Sequence, residues 1–488
     1  MQRFPSLLPL ALAPLLVQAR AAGQELTALE LDPAGVLAGD YVVDVSAAGT
    51  AVGAGVFGGV WPQALRFSDA GPAALAPLPG DVMGEANGIN DLGVVVGAST
   101  SVSTLGLLTF FDRAVRWDAS GGVTDLAAAA TGGATLELFR AWDVNDAGQI
   151  VGFGRDASIP AGRGFLWDAG VVTEIPPLPG VPASRPTQAR GINGAGQVVG
   201  YAEDSGGFAH ALLWEAGALT DLHDGAGVPG RTSEAWDVNE AGWIAGSADF
   251  VADFIDWRVA ALWRPDGSVI ELGTLGGTVG VAYSVNDHNE VVGNTTTGAG
   301  NRGFLWRGGV MVDLNSLIAP ASGFTIVEAR SISNDGRIVG LGVDGAGLQT
   351  VVLVPNPCDG FFQVYGESGP GTGGFPPSLA GFGCPAPGEE LLFGIQGGLG
   401  GASGAIALGF GAGTLPITPF CDLQVLPLAP ATLPITLDGA GAGEGELFFS
   451  TPLDAGLSPT DLFLQALFLD PGAPGFVSCT RPLQVHVE

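Results

Sequence analysis

Three aspartates recur at one position of an internal repeat, and carboxylates both hold hard cations and act as acid and base in glycosidic chemistry. They are Asp44, Asp143 and Asp237, and each is followed directly by valine. If this position faces a common axis, the three carboxylates converge there and predict a calcium site. A structural interpretation competes with it, because polar groups at strand ends also hydrogen-bond neighbouring strands and bound water. Both interpretations stay open.

Tryptophan precedes two of these aspartates, as Trp142 and Trp236 in the sequence AWDVN. Another set of large side chains occupies one position near the end of a later strand: Phe67, Trp117, Trp167, Trp214, Trp263 and Trp306, with Val354 in the last copy. An aromatic side chain that recurs in successive repeats is more typical of packing between them than of a sugar-binding surface. We therefore predict that the recurring set is buried, and we prefer Trp142 and Trp236 as surface candidates.

The element that must position these residues is a repeated β-hairpin, clearest at Ala189–Gly200 (ARGINGAGQVVG). A glycine closes its second strand in seven copies about 48 residues apart: Gly53, Gly97, Gly152, Gly200, Gly246, Gly293 and Gly340. Asn or Ser begins each turn, and glycine follows three residues later, except that the sixth copy has Asn289. This spacing predicts a type I turn followed by a left-handed residue, a conformation that asparagine tolerates best after glycine.

Each copy continues into a third strand and, in most copies, a short fourth strand, which is the content of one propeller blade. The seventh copy stops after its third strand at Gln349–Val354, and the segment 26–31 (LTALEL) has the pattern of the missing strand. We predict an all-β chain in which residues 22–355 form a seven-bladed β-propeller closed by this N-terminal strand. The alternative is an open array of sheets with an unpaired first strand.

The N-terminus and the charge indicate an exported protein with few classes of partner. Residues 1–21 have an early arginine, an apolar run and an A-x-A cleavage signal, as in a Sec-type signal peptide. Removal of this peptide takes away Arg3 and Arg20 and no acid, so the net charge of −31 becomes −33. Such a charge repels nucleic acid and anionic lipid, and leaves cations, neutral glycans and proteins as partners. We expect no membrane span.

The last part of the chain contains all four cysteines: Cys358, Cys384, Cys421 and Cys479. In an exported chain they predict two disulfides, and of the three possible pairings we prefer Cys358–Cys384 with Cys421–Cys479. Residues 356–390 are rich in glycine and proline and are interpreted as a junction. Residues 391–488 contain short β-patterned runs and predict a small β-sandwich.

The repeats resemble the HAF-type extracellular repeats of bacterial exported proteins. The likeness rests on Ala189–Gly200, on the F-L-W segments Gly164–Trp167 and Gly303–Trp306, and on Glu271–Gly277 (ELGTLGG). It covers residues 26–354 and implies a propeller-like exported protein, without implying catalytic residues. The C-terminal segment looks like the Gly/Pro-rich domains of planctomycete-type exported proteins, on Leu464–Pro471 and a nearby glycine-rich run, and this resemblance carries no activity.

The sequence favours an exported, non-enzymatic binding or scaffold protein of the cell surface or extracellular space, with a propeller face as its interaction platform. We predict no catalytic residue and no cofactor other than calcium. The expected partner is a protein or glycan of the cell surface or matrix, bound by a monomer. Two alternatives remain: a polysaccharide-active enzyme that uses the repeated aspartates, and a purely structural envelope protein.

Overall fold

The repeated turn forms a tight hairpin loop at the seven positions where the described chain contains it. In the fourth copy, the Gly196 N–H donates to the Asn193 carbonyl (3.0 Å), and the Asn193 N–H donates to the Gln197 carbonyl (3.2 Å). The residue at the end of each turn has a positive φ, including Asn289 with φ 59°. The predicted turn type, with asparagine as the substitute for glycine, is therefore confirmed.

The computed structural model describes residues 26–31, 37–57, 61–68, 71–103, 109–131, 136–156, 159–223, 232–250, 258–356, 358, 360–426, 428–453 and 459–487. The predicted signal peptide, residues 1–21, lies outside these ranges. The chain divides into two compact units, one formed mainly by residues before Asn356 and the other mainly by residues from Asn356 onward. The prediction of an all-β protein is confirmed, since strands dominate both units.

The first unit consists of four-stranded antiparallel sheets, which we number 1 to 7 within the described ranges. Strand β1 (Leu26–Glu30) comes first in the chain. Sheet 1 contains β2 (Leu37–Val45), β3 (Ala51–Phe57), β4 (Gln63–Ser68) and β5 (Gly71–Leu75), and sheet 2 contains β6 (Met83–Ile89), β7 (Val95–Ser103), β8 (Thr109–Trp117) and β9 (Val123–Asp125). Sheet 3 contains β10 (Glu137–Val144), β11 (Ile150–Asp156), β12 (Ile159–Asp168) and β13 (Val171–Glu174). Each of these three sheets keeps its strands in chain order, so the arrangement is propeller-like.

Sheets 4 to 7 repeat this arrangement. Sheet 4 contains β14 (Thr187–Ile192), β15 (Val198–Glu203), β16 (Ala209–Glu215) and β17 (Ala218–Asp221), and sheet 5 contains β18 (Ser233–Val238), β19 (Ile244–Asp249), β20 (Arg258–Trp263) and β21 (Val269–Gly273). Sheet 6 contains β22 (Gly280–Val285), β23 (Val291–Thr297), β24 (Gly300–Arg307) and β25 (Val310–Asp313). Sheet 7 contains β26 (Thr325–Ile332), β27 (Ile338–Val343) and β28 (Leu348–Pro355). Short 3₁₀ turns at Leu314–Ser316 and Pro320–Ser322 connect sheets 6 and 7.

The N-terminal strand β1 completes sheet 7, whose strand order is β1-β28-β27-β26. The pairing is antiparallel, with Leu26 opposite Pro355 and Glu30 opposite Val351. Beside this pairing, the Leu26 N–H donates to the Leu317 carbonyl (3.1 Å). The segment 26–31 thus supplies the strand that the seventh repeat lacks.

Packing between sheets uses the aromatic side chains at the ends of the third strands. Trp117 and Trp263 have no exposed surface, and the other members of the recurring aromatic set are also buried. Trp117 packs in a cluster that includes Val52 of sheet 1 and Ala86 of sheet 2. The prediction that this set serves packing is therefore confirmed, because burying an aromatic ring removes a large apolar area from water.

The turn asparagines connect each sheet to the next through their side chains. The Asn193 Oδ1 accepts from the Gln197 N–H of its own turn (3.0 Å), while its Nδ2 donates to the Asn239 carbonyl of sheet 5 (2.9 Å). The same forward bond is made by the side-chain amides of Asn90, Asn145, Asn239 and Asn286. Because these bonds are buried, losing one leaves a carbonyl without its donor.

The second unit also contains only strands and short 3₁₀ turns in its described part. The strands are β29 (Phe361–Val364), β30 (Ser378–Phe382), β31 (Glu390–Leu399), β32 (Ser403–Gly409), β33 (Ala412–Thr418), β34 (Cys421–Val425), β35 (Leu428–Thr436), β36 (Ala442–Pro452), β37 (Thr460–Leu469), β38 (Val477–Cys479) and β39 (Leu483–Val487), with 3₁₀ turns at Thr372–Gly374 and Pro474–Phe476. Side chains of the sheet β30-β31-β36, such as Phe393, share one hydrophobic core with Phe468 and Val485 of the sheet built on β37. Two sheets that face each other across one core have the arrangement of a β-sandwich.

Two features of this unit concern the segment that the sequence presents as a junction. Disulfides join Cys358 to Cys384 and Cys421 to Cys479, which is the preferred pairing. The stretch 356–390 also contributes strands: β29 pairs with β39, and β30 pairs with β31. These short strands are hidden in the sequence because each is only four or five residues long between glycine- and proline-rich runs.

Candidate binding cavity

The first strand of every sheet in the first unit carries a β-bulge at the same place. In sheet 3, Ala141 pairs with Gly152 and Asp143 pairs with Val151, so Trp142 has no partner across the ladder. The corresponding shift occurs in the first strands of the other described sheets. A bulge turns its extra residue away from the regular alternation of a strand. We call the unpaired residue the bulge position and the residue after it the carboxylate position.

The repeated glycine of the second strand is needed opposite this bulge. A Cβ added at Gly200 would fall on the carbonyl oxygen of Gln188, and the other repeat glycines face the equivalent carbonyl in their own sheets. The bulge draws the first-strand backbone so close that only a residue without a side chain fits. The glycine that recurs in the sequence is therefore required opposite the bulge. The bulge in turn directs side chains into the cavity described next.

The two positions together line a cavity of about 170 Å³ to which all seven sheets contribute side chains. The bulge position supplies Val43, Asn87, Trp142, Arg190, Trp236, Tyr283 and Arg330. The carboxylate position supplies Asp44, Asp143, Asp237, Ser284 and Ser331. The structure thus brings together all three predicted aspartates and both predicted tryptophans in one place.

The side chains at the bulge position of sheets 3 to 7 form an arc of stacked groups. The Arg190 guanidinium lies 4.4 Å from the ring centroid of Trp142 and 4.8 Å from that of Trp236. Trp236 meets Tyr283 edge to face at 5.5 Å, and the Arg330 guanidinium lies 4.7 Å from the Tyr283 ring. Cation–π contacts of this kind fix long side chains in place. Sheets 1 and 2 contribute only the smaller Val43 and Asn87, so the side chains at the bulge position fill less space there.

Each aspartate connects its own sheet to the next one. The Asp143 Oδ1 accepts from the Val144 N–H (2.7 Å), and its Oδ2 accepts from the Ile192 N–H of sheet 4 (2.8 Å). Asp44 and Asp237 make the same pair of contacts with backbone N–H groups. Each of the three aspartates thus makes the hydrogen bonds between neighbouring strands that the structural interpretation expects.

Two of the sheets that receive these carboxylates have glycine at the same position, Gly88 and Gly191, and the third has Ser284. A Cβ at Gly88 would lie 2.7 Å from the Trp142 carbonyl oxygen and 3.4 Å from the Asp143 Oδ1. A Cβ at Gly191 would lie 3.0 Å from the Trp236 carbonyl oxygen. Alternation of aspartate and glycine therefore reflects close approach between neighbouring first strands. At the last junction, the Ser331 hydroxyl donates to the Asp44 Oδ1 (2.7 Å), which connects sheet 7 to sheet 1.

Burial and mutual repulsion hold the three carboxyls in their protonated form to unusually high pH. Burial, followed by the charges of Asp44 and Asp237, raises the pKa of Asp143 to about 8. Burial raises the pKa of Asp44 to about 6, and it also raises the pKa of Asp237. Hydrogen bonds to the carboxylates act in the opposite direction and are outweighed. Near neutral pH, Asp143 is therefore largely an uncharged carboxylic acid.

The calcium hypothesis for these aspartates stays a prediction. Among the described residues, no group of three or more His, Cys, Asp or Glu is arranged to hold a metal ion. The carboxylate oxygens of Asp44, Asp143 and Asp237 instead face backbone N–H groups.

Sequence reasoning missed every cavity residue at the bulge position except the two tryptophans: Val43, Asn87, Arg190, Tyr283 and Arg330. They lie one residue before the position that the aspartates mark. A signal was available, because the preceding position is alanine in six of the seven copies and the following one holds only Asp, Gly or Ser, whereas this one differs widely. The bulge itself leaves no other trace in the sequence than the glycine opposite it.

Comparisons with known proteins give structural neighbours of low similarity. No protein-family model matches the chain, and no curated protein sequence is similar to it. Among solved structures, TolB from Acinetobacter baumannii is 13% identical with a TM-score of 0.31, over 65% of this chain and 63% of the TolB chain. A mutant of AofleA from Arthrobotrys oligospora is 11% identical with a TM-score of 0.31, over 60% of this chain and 87% of that chain. An exo-β-1,3-galactanase from Phanerochaete chrysosporium is 12% identical with a TM-score of 0.22, over 76% of this chain and 97% of that chain.

These values are too low to transfer an activity, and the chain spans less than two thirds of the TolB chain that it matches. In the part of the chain that the structure describes, no helix is long and apolar enough to cross a membrane.

Proposed function

We propose that this chain is an exported, non-enzymatic binding protein whose ligand occupies the central cavity of a closed seven-bladed propeller. One observation carries the proposal: side-chain variety is concentrated at the bulge position. Two residues before each carboxylate position the chain has alanine in six copies and Val42 in the other. One residue before it the chain has Val, Asn, Trp, Arg, Trp, Tyr and Arg. Packing sets the first position, and nothing in the fold requires the variety at the second.

Closure of the ring is supported by contacts between the first and last sheets. Val339 of sheet 7 packs in the same buried cluster as Val42 and Phe67 of sheet 1. The Arg337 guanidinium donates to the Ala47 carbonyl (3.4 Å), in addition to the bond between Ser331 and Asp44. A closed ring has no exposed sheet edge and holds its axial side chains rigidly, which lowers the entropy lost when a ligand binds.

Export is supported by the two disulfides, which are consistent with an oxidising extracellular or periplasmic location. The HAF-type resemblance of the repeats leads to the same expectation. A cell-surface or matrix glycan or protein remains the proposed partner, since the negative charge of the chain disfavours nucleic acid.

The test is binding of the purified mature protein to arrays of glycans and extracellular proteins, with and without calcium. The proposal expects a saturable signal that is weakened at least tenfold in Trp236→Ala and preserved in Trp243→Ala. Trp243 is a matched control because it lies in the hairpin of the same sheet, outside the cavity lining. Equal binding by both variants, or no binding to any surface, would reject the proposal.

A polysaccharide-active enzyme is the second candidate, and the raised pKa values of Asp143 and Asp44 favour it. Carboxyls whose pKa values are pushed apart are typical of acid and base pairs. The hydrogen bonds of these carboxylates argue against an enzyme, because each carboxylate already accepts hydrogen bonds from two backbone N–H groups. Release of reducing ends from a polysaccharide that the protein binds, lost in Asp143→Asn, would establish the enzyme instead.

A further inference from the structure

We propose that the cavity accepts one neutral, pyranose-sized sugar residue, the terminal unit of a glycan, which lies beside Val43 and Asn87, where the side chains of the bulge position are smallest. This assignment of ligand class rests on the proposed binding function. It follows from the size of the cavity, from the polarity of its lining and from the state of its charged groups.

The volume corresponds to a single six-membered ring. A cavity of roughly 150 Å³ in another protein holds one benzene molecule, and the central cavity here measures about 170 Å³. It is too small for a peptide segment or a nucleotide. A longer glycan therefore reaches the cavity only with its end, and the remainder extends over the rim.

The Asp143 carboxyl that lines the cavity is suited to bind hydroxyl groups. A carboxylate has about four lone-pair sites, and Asp143 shows contacts from two backbone N–H groups. When protonated, this carboxyl also offers one O–H donor. Sugar hydroxyls both donate and accept hydrogen bonds, so they match a protonated carboxyl such as that of Asp143, which also does both.

The charged groups around the cavity disfavour an anionic ligand. The Arg190 guanidinium is stacked between the Trp142 and Trp236 rings. Arg330 is paired with Glu328 and lies over Tyr283. The strongly negative net charge of the chain repels polyanions at longer range.

A cationic ligand is disfavoured because the aromatic faces that would receive it are occupied. Both tryptophan rings and the Tyr283 ring already contact arginine guanidinium groups. The carboxyls form no metal-binding group in the described chain. The remaining class is a neutral ligand with several hydroxyls.

Asn87 is the specificity-determining residue of this site. It lines the cavity beside Val43, and its Nδ2 donates to the Ala141 carbonyl (2.9 Å), which fixes the side-chain amide in place. Its amide oxygen is an acceptor for a sugar hydroxyl. A larger apolar side chain at this position would fill part of the cavity and remove that acceptor.

The experiment is ligand-observed NMR with methyl pyranosides of neutral hexoses and deoxyhexoses, a hexuronate and an amino sugar. The wild type, Asn87→Leu, Asn87→Ser and the exposed control Asn301→Leu are compared, with folding checked by circular dichroism. We expect saturable binding of at least one neutral pyranoside, weakened tenfold or more in Asn87→Leu and unchanged in Asn301→Leu. Asn87→Ser keeps the space and a hydroxyl acceptor, so we expect it to bind the pyranoside more tightly than Asn87→Leu; equal loss in both variants would contradict the role assigned to this residue.

The outcomes separate this assignment from the proposed function. Tighter binding of the hexuronate or the amino sugar than of every neutral pyranoside overturns the ligand class. Array binding that persists in Asn87→Leu, with no pyranoside bound by the wild type, overturns the sugar assignment while the proposed function stands. Absence of both array binding and pyranoside binding rejects both.

Discussion

Replacement of Asn193 by alanine tests whether the turn asparagines hold the sheets together. Its side chain is 2% exposed and serves two sheets at once. The Oδ1 accepts from the Gln197 N–H, and the Nδ2 donates to the Asn239 carbonyl and to the Gln197 Oε1. Alanine removes both functions and leaves two backbone groups without their partners.

The expected loss follows from those two groups. Each buried backbone group left unsatisfied costs about 1–3 kcal/mol, and one of the two lies at a turn that water reaches in part. We therefore expect Asn193→Ala to lower the free energy of unfolding of the first unit by about 2–4 kcal/mol. Serine occupies the same position at Ser333, where its hydroxyl accepts from the Arg337 N–H (3.1 Å). Asn193→Ser should accordingly lose only the bond to the next sheet, about 1–2 kcal/mol.

Tryptophan fluorescence isolates this unit, because all ten tryptophans lie between Trp61 and Trp306. Equilibrium denaturation with guanidinium, with an unchanged m-value, gives the free energies directly. The exposed Asn301→Ala serves as the control and should change stability by less than about 0.5 kcal/mol. A loss below about 1 kcal/mol in Asn193→Ala, or equal losses in the alanine and serine variants, would refute the reasoning.

Further predictions concern the axis, the bulge and the ring closure. The pKa of Asp143 is raised to about 8 in the folded protein. The stability that its protonated carboxyl gives the folded state is therefore fully present below about pH 4 and is lost as the pH rises to about 8. Stability followed by fluorescence should fall over that range, and Asp143→Asn should flatten the slope; an unchanged slope would contradict this. Gly200→Ala should destabilise by about 1–3 kcal/mol, since its Cβ meets the Gln188 carbonyl, and a neutral effect would contradict the bulge geometry. Cysteines in place of Ala28 and Leu353, which face each other in sheet 7, should form a disulfide by exchange with oxidised glutathione, which takes up the two electrons, and two free thiols in a thiol assay would contradict the pairing.

The local features of the fold could be predicted because short-range rules determine them. The Asn-x-x-Gly spacing sets the turn, as Asn193 and Gly196 show, and the recurring aromatics had to be buried between sheets. The two disulfides followed from loop size and from the position of the cysteines. Strands such as β29 escaped prediction because four residues between glycine-rich runs carry too little pattern.

The cavity could be predicted only in part. Asp143 was found because aspartate recurs at its position, whereas Arg190 lies at a position where five residue types occur in seven copies, with arginine again only at Arg330. Its role depends on the bulge, which turns a residue toward the axis that simple alternation would place elsewhere. The forward bond from Asp143 to the Ile192 N–H depends on the distance between two sheets, which no local rule supplies.

The most direct test of the central claim is ¹⁹F NMR of the protein labelled with 5-fluorotryptophan, titrated with the ligand that the arrays identify. Trp142→Phe and Trp236→Phe assign the two resonances of the cavity. We predict saturable shifts of these two resonances, while those of the buried Trp117 and Trp263 stay in place. Binding that leaves the Trp142 and Trp236 resonances unchanged would contradict a ligand site at the centre of the ring.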